Sequence, residues 1–385
     1  MDIKIDPYNN EASWLAWKKN NQERILGVSE ENSKIILRYL GDMEKGINIS
    51  LVNKKGARSY IRLNTLKNRI TFMVKQLEAR ERAYDIKELT EEQICGFFTG
   101  MRNGEIKKQD GGSYKSVRDY AKVFKAFWHW HQKVSQKQGK EVPDTTVCLD
   151  TTGSKPDWVY LTEEEVKRLC ENTKFEYKVL MMFLFDTGIR APTELINIKV
   201  SDLNNNCKEL NIREEISKTF GRRIKLMLCS EIVKQYVSEK KLSPDDFLFK
   251  TSPQKTNKYL KRLSTKVFGD KQSPAGQKYS DLTMYDFRHC SCCYWLPRYK
   301  SESALKYRFG WKSSDKIHYY SELLGMKDTI REEDLLVDTT KTEIEQRLLQ
   351  SEKKNEILQD RITSMEKEMK RITDIANKLH LEVTS

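Results

Sequence analysis

Apolar residues recur at helical spacing through most of the first 135 positions. The run Ala12–Leu26 carries Trp14 and Trp17. Ser29–Met43 places Ile35, Ile36, Tyr39, Leu40 and Met43 on one stripe, and Leu63, Leu66, Ile70, Met73 and Leu77 form another. Thr90-Glu91-Glu92-Gln93 is a capping box that opens a short helix through Phe97 and Phe98. A further long helix from about Ser116 repeats at Val117, Tyr120, Phe124 and Phe127. Residues 133–156 are mostly polar and hold the breakers Gly139, Pro143, Gly153 and Pro156, which predicts a linker.

The pattern changes after the linker. Thr162 and Glu165 form a second capping box, and Leu161 can staple onto Val166. Tyr177–Phe185 is apolar almost all round, so it is a buried helix that ends at Asp186-Thr187-Gly188. Leu195, Ile196 and Ile198 predict a helix after Arg190. Glu209–Arg213 and Arg223–Leu228 read as two strands joined by a hairpin whose tip, Lys218–Arg222, carries a lysine. Thr256–Phe268 is a basic helix, Gly269–Gln277 a loop, and Leu282–Leu323 opens on LTMYDFRHC, passes a Cys-rich turn and continues through LKYRFGWKSSDKIHYYSEL.

From about Thr340 the spacing alternates between four and three: Ile344, Leu348, Ser351, Asn355, Leu358, Ile362, Met365, Met369, Ile372, Ala376 and Leu379. This is a heptad seam, with Asn355 at an a position where a buried amide selects register. A single amphipathic helix docked on its own domain is the alternative. The fold expected is mostly α with a small antiparallel β-sheet. Residues 1–140 form a helical domain, 141–157 a linker, 158–335 a second domain that holds the sheet, and 340–385 a C-terminal coiled-coil helix.

Lys and Arg number 69 against 56 Asp and Glu, for a net charge of +13. That balance favours a polyanionic partner, nucleic acid by default, over a merely solubilising surface. Exposed basic positions on the first domain, Lys54, Lys55, Lys107, Lys108, Lys115 and Arg118, are either a solvated face or DNA contacts. Arg222 on the hairpin and Lys258, Lys261 and Arg262 on the basic helix extend the set. Apolar residues at 38% and aromatics at 10% argue for a folded protein rather than a disordered basic one.

The eight cysteines are scattered except for Cys290, Cys292 and Cys293. No second CxxC pair accompanies 290–293, so helix packing is favoured over zinc. The opening MDIKIDPYNN is not a secretory signal, which predicts reduced thiols and a cytoplasmic, DNA-associated protein. No apolar run approaches the ~20 residues of a membrane span. His129 and His131 sit two apart and so point to different helix faces, which reads as an aromatic helix end and not a metal site.

The chemistry concentrates in four texts: TGIR…ELINIKVSDL at 187–203, SKTFGRRIKL at 217–226, YDFRH at 285–289 and FGWKSSDKIHYYSEL at 309–323. They place Arg190, Lys218, Arg288, Trp311 and Tyr320 in that order. Trp311 follows Arg288 by 23 residues and Tyr320 follows Trp311 by nine. The set resembles the active site of the tyrosine recombinases, the lambda-integrase family, over roughly residues 160–325. Thr99-Gly100-Met101-Arg102 imitates the first text but lacks its flanking pattern.

The resemblance implies a core-binding domain followed by a catalytic domain. It implies a site-specific recombinase, an integrase of a virus or mobile element, that cleaves and rejoins duplex DNA through a 3′-phosphotyrosyl link without metal, cofactor or ATP. Arg190 and Arg288 would clamp the phosphate, Trp311 would donate its indole N–H, Lys218 would protonate the leaving 5′-oxygen, and Tyr320 would attack. Partners would be double-stranded DNA and further copies of the chain. Tyr319 is the competing nucleophile, His289 reads as a structural imidazole, and His318 could lie near the site.

Two positions depart from the family. Tyr285 stands where histidine is usual, three residues before the second arginine. The step from Arg190 to Glu194 is one residue longer than usual. Both motivate an alternative, a DNA-binding regulatory protein with the fold and weak or no chemistry. A type IB topoisomerase is a third reading.

Overall fold

A computed structural model describes residues 5–49, 55–108, 111–114, 116–152, 157–299, 301–323 and positions scattered between 351 and 370. The chain divides into two units, Met1–Tyr320 and Ser321–Ser385. Of the heptad seam, Ile344, Leu348, Ile372, Ala376 and Leu379 lie outside the described residues. Leu358, Ile362, Met365 and Met369 are described, as largely exposed helical positions.

The first helices are α1 (Asn10–Asn20), α2 (Glu30–Lys45), α3 (Tyr60–Glu81), α4 (Glu91–Arg102) and α5 (Val117–Gln136). Their apolar stripes meet in one core that includes Trp14, Tyr39, Phe124, Phe127 and Trp128. Tyr39 meets Phe127 edge to face at 5.2 Å. The ends follow local chemistry. Ser29 Oγ accepts the Asn32 N–H, Gly46 ends α2 at φ 75°, and Thr90 and Gln93 close the expected capping box. The helix expected to reach Leu26 stops at Asn20 instead. The chain then turns so that Ile25 and Val28 enter the core while Leu26 is left 87% exposed.

Much of the polar stretch after α5 is strapped along that helix. Trp128 Nε1 donates to the Pro143 carbonyl (2.9 Å), Gln132 to that of Val142 (3.0 Å) and Lys125 to that of Leu149 (3.2 Å). Leu149 joins the helical core. Cys148 in this strap is bonded to Cys95 on α4, with Cα atoms 6.4 Å apart. The expectation of reduced thiols therefore fails at this pair, because folding the strap onto α4 and α5 brings two sulfurs within bonding reach.

Among the described residues up to 323 there follow α6 (Glu163–Glu171), α7 (Phe175–Thr187), α8 (Ser230–Glu239), α9 (Pro253–Phe268), α10 (Asp286–Trp295), α11 (Glu302–Phe309) and α12 (Asp315–Leu323). The all-round apolar α7 is buried among α6, α8 and α10. Cys290, Cys292 and Cys293 are packed inside on α10. An antiparallel sheet runs β1 (Leu203–Asn204), β2 (Glu209–Ile212), β3 (Arg222–Lys225), with Leu210 opposite Ile224 and Ile212 opposite Arg222. β1 and α8 were not expected from the sequence. The helix expected after Arg190 is a turn closing in one 3-10 turn, Leu195–Asn197. The chain leaves it extended because the Ile198 carbonyl accepts the Leu248 N–H (2.8 Å).

Candidate active site

The site is assembled around the C-terminal end of α11. A helix leaves its last carbonyls without partners inside the helix, and they carry partial negative charge. Here arginines take them. Arg222 Nε donates to the Arg308 carbonyl (2.9 Å), Arg288 Nη2 to that of Phe309 (2.6 Å) and Arg190 Nη2 to that of Gly310 (2.8 Å). Gly310 turns at φ 60°, which points its carbonyl back at the cluster. Arg288 also donates to the carbonyl of Gly188, the C-cap of α7.

Glu194 ties the cluster together. It is fully buried. It takes Arg190 Nη1 and Arg222 Nη2 at 2.8 Å each, and the Arg190 backbone N–H at 2.9 Å. Burial pushes its carboxyl up, but the bonds and charge of Arg222, and then those of Arg190, outweigh it and hold the pKa down at about 2. The longer step from Arg190 thus still delivers the carboxylate to the guanidinium. One buried carboxylate among these guanidiniums leaves excess positive charge. Burial and then the repulsion of Arg190 lower the Arg288 pKa to about 10. An anion placed here would relieve that repulsion.

Arg222 corrects an expectation. As a hairpin-tip residue it reads as a DNA contact, yet it is 2% exposed. On β3 it shares the inward face with Ile224, and its charge is spent on Glu194. Lys218 is exposed on the loop between β2 and β3. Its neighbour Thr219 donates to the Gly310 carbonyl (2.9 Å), the acceptor that also holds Arg190. That bond ties the lysine loop to the arginines.

Tyr320 on α12 is 3% exposed. Its ring stacks on Trp311 at 6.0 Å and 13°, and Trp311 stacks on Phe309 at 4.9 Å. The Arg288 guanidinium lies 6.0 Å from the Trp311 ring. His289 Nδ1 hydrogen-bonds the Tyr320 hydroxyl. Burial pushes the Tyr320 pKa well above the usual phenol value; Cys292 adds to this and Arg288 opposes it. Tyr319 is engaged elsewhere, taking the Trp158 indole N–H at 2.9 Å. Tyr285, at the N-cap of α10, is 49% exposed, with its ring edge-on to His289 at 5.2 Å.

The remaining basic candidates are surface groups. Lys107, Lys108 and Arg118 are exposed, as are Lys258, Lys261 and Arg262 on the outer face of α9; Lys115 lies outside the described residues. Lys261 pairs with Asp281 at 3.2 Å, and Arg102 of the imitating text pairs with Asp150 at 3.1 Å. His129 pairs with Asp144 at 3.1 Å. Sequence reasoning left Glu194 and Trp158 without roles and treated His289 as structural. An acidic residue four after an arginine beside a buried helix was a usable signal for Glu194. Nothing local marks Trp158.

Residues 159–325 match the phage integrase family. Comparison with curated proteins gives no match. Among solved structures, a lambda integrase dimer bound to a COC′ core site has a TM-score of 0.55 at 15% identity, covering 78% of this chain and 79% of that one. The Tn1549 transposon integrase in complex with circular intermediate DNA has a TM-score of 0.54 at 14% identity, covering 77% and 98%. XerH site-specific recombinase bound to a palindromic difH substrate has a TM-score of 0.52 at 14% identity, covering 84% and 94%. The fold is shared, and the family match spans every one of the five residues from Arg190 to Tyr320. Residues 159–325 are thus a phage integrase family domain, set in a chain that shares its fold with the integrase structures above.

Proposed function

We propose that the chain is an integrase-type recombinase that cleaves and rejoins duplex DNA, with Tyr320 as nucleophile. The observation that carries this is the joining of Arg190, Arg288 and the Lys218 loop through the last carbonyls of α11, beside a tyrosine stacked on Trp311. Attack on phosphorus puts added negative charge on the non-bridging oxygens. Guanidinium forks preset by backbone carbonyls, and for Arg190 also by Glu194, stabilise that charge without reorganising. Each guanidinium has five N–H donors, and the bonds above engage two of those of Arg288. Trp311 walls the site, Tyr285 at its exposed edge donates to a phosphate oxygen, and Lys218 protonates the leaving 5′-oxygen.

Residues 1–140 would act as the core-binding domain and 158–335 as the catalytic domain, together clamping the duplex across the 141–157 connection. Lys107, Lys108, Lys115, Arg118, Lys258, Lys261 and Arg262 would meet its backbone. The structurally similar lambda integrase forms a dimer on a core site and a tetramer on a Holliday junction. This chain would likewise act as an oligomer on DNA in the cytoplasm, with the heptad tail at 340–385 joining protomers.

Incubation with a pool of nicked duplexes of randomised sequence tests the reading. An SDS-resistant protein–DNA adduct is expected, lost in Tyr320→Phe and kept in Tyr319→Phe. Tight duplex binding with no adduct would favour a regulatory protein instead. Relaxation of any supercoiled plasmid would favour a topoisomerase.

A further inference from the structure

The structure assigns His289 as the general base that removes the Tyr320 proton, a role that the position of Tyr285 cannot supply. This rests on the reading of Tyr320 as nucleophile. Tyr320 is almost entirely enclosed, so its proton has to leave through a group already touching the hydroxyl. His289 Nδ1 is in hydrogen-bond contact with that oxygen. The imidazole packs against two rings, Trp158 at 4.7 Å and Tyr285 at 5.2 Å. Positions 285 and 289 are four residues apart at the start of α10 and so share a face.

The other titratable groups around Tyr320 are unsuited. Burial pushes the thiols of Cys292 and Cys293 upward, so they hold their own protons. Arg288 is cationic and has no lone pair to offer. Tyr285 lies at the exposed edge of the site with its ring edge-on to His289. Asp286, next along α10, accepts from Thr283 and the Val159 N–H. Tyr319 receives the Trp158 N–H. An imidazole exchanges protons near neutrality, and in the tautomer protonated at Nε2 its Nδ1 lone pair faces the hydroxyl.

The step balances. The Tyr320 O–H bond breaks and its proton passes to Nδ1 as the oxygen bonds to phosphorus. The P–O5′ bond breaks, and O5′ takes a proton from the Lys218 ammonium. On rejoining, the 5′-hydroxyl returns its proton to Lys218, attacks phosphorus, and Tyr320 leaves with the proton held by His289.

The test uses the full chain and a nicked duplex of the sequence recovered in the adduct above, in single-turnover cleavage across about pH 5.5 to 8. The wild-type rate should fall on the acid side as the imidazole becomes protonated. His289→Gln should lose that inflection and cleave about 10²–10⁴-fold more slowly, with duplex affinity and thermal unfolding unchanged. Added imidazole should restore part of the rate in His289→Gly. A His289→Gln rate and profile equal to the wild type would overturn the assignment while leaving Tyr320 in place. If the variants do not fold, a wild-type rate that is flat over this range overturns it. Absence of any adduct from the wild type overturns the function reading, and this one with it.

Discussion

Glu194 is the residue on which the arginines of the site depend. Removing its charge leaves Arg190 and Arg222 uncompensated at a buried position, so Glu194→Gln should destabilise the chain by about 3 kcal/mol or more in denaturant unfolding. The pH dependence follows from the direction of its shift. Its folded pKa, about 2, lies below the ordinary 4.5. Its contribution, on the order of 3 kcal/mol, is therefore complete above the unfolded value and is lost as pH falls from there toward the folded one. Over that window the wild-type Tm should drop further than that of Glu194→Gln, and parallel curves would refute the linkage. Lys218 permits a separate chemical test. Lys218→Ala should slow cleavage about 10²–10⁴-fold. With sulfur as the bridging 5′ atom the loss should largely vanish, because a thiolate leaves without a proton. An equal loss on both substrates would remove the lysine from that role. The grouping of Arg190, Arg288, Trp311 and Tyr320, with the Lys218 loop tied to them, could be anticipated because each belongs to a spaced motif. Arg222 was misread because a basic hairpin tip suggests the surface, whereas the alternation along β3 turns it inward beside Ile224.

Among the elements, the short α11 organises the most. Its terminal carbonyls anchor three arginines, and its Phe309 packs against the α7 C-cap. Gly188 ends α7 at φ 58°, and a Cβ there would overlap the Phe309 ring. Gly188→Ala should cost about 1–3 kcal/mol for the left-handed backbone and a similar amount for the overlap. The readout is thermal unfolding, and a Tm within a degree or so of the wild type would show that α7 and α11 are not locked there. The long amphipathic helices, both capping boxes and the buried α7 could be read from periodicity and end chemistry alone. The short pieces could not. β1 is two residues long, and the turn after Arg190 depends on Ile198 finding Leu248, fifty residues away in sequence. The early end of α1 likewise depends on where Ile25 and Val28 pack.

At the scale of the whole molecule, the excess of cations predicts that affinity for duplex DNA, if the proposed function holds, will depend steeply on salt. Neutralising Lys258, Lys261 and Arg262 together should weaken binding to all sequences alike. It should reduce the slope of log affinity against log salt by roughly one per residue that meets a phosphate. Arg222→Gln should not change that slope, because its charge is buried against Glu194. An equal slope change in both would mean the inward placement of Arg222 is wrong. Deleting residues 340–385 should lower the association state seen by light scattering, and an unchanged state would count against pairing through the heptad seam.

The central claim is that Tyr320 joins covalently to DNA inside the pocket of Arg190 and Arg288. The most direct measurement is mass spectrometry of the protein recovered from the nicked-duplex adduct after nuclease and protease digestion. The account predicts a nucleotide attached through its 3′-phosphate to the peptide bearing Tyr320. A modified Tyr319, another attached residue, or an unmodified Tyr320 in a cleaving protein would contradict it.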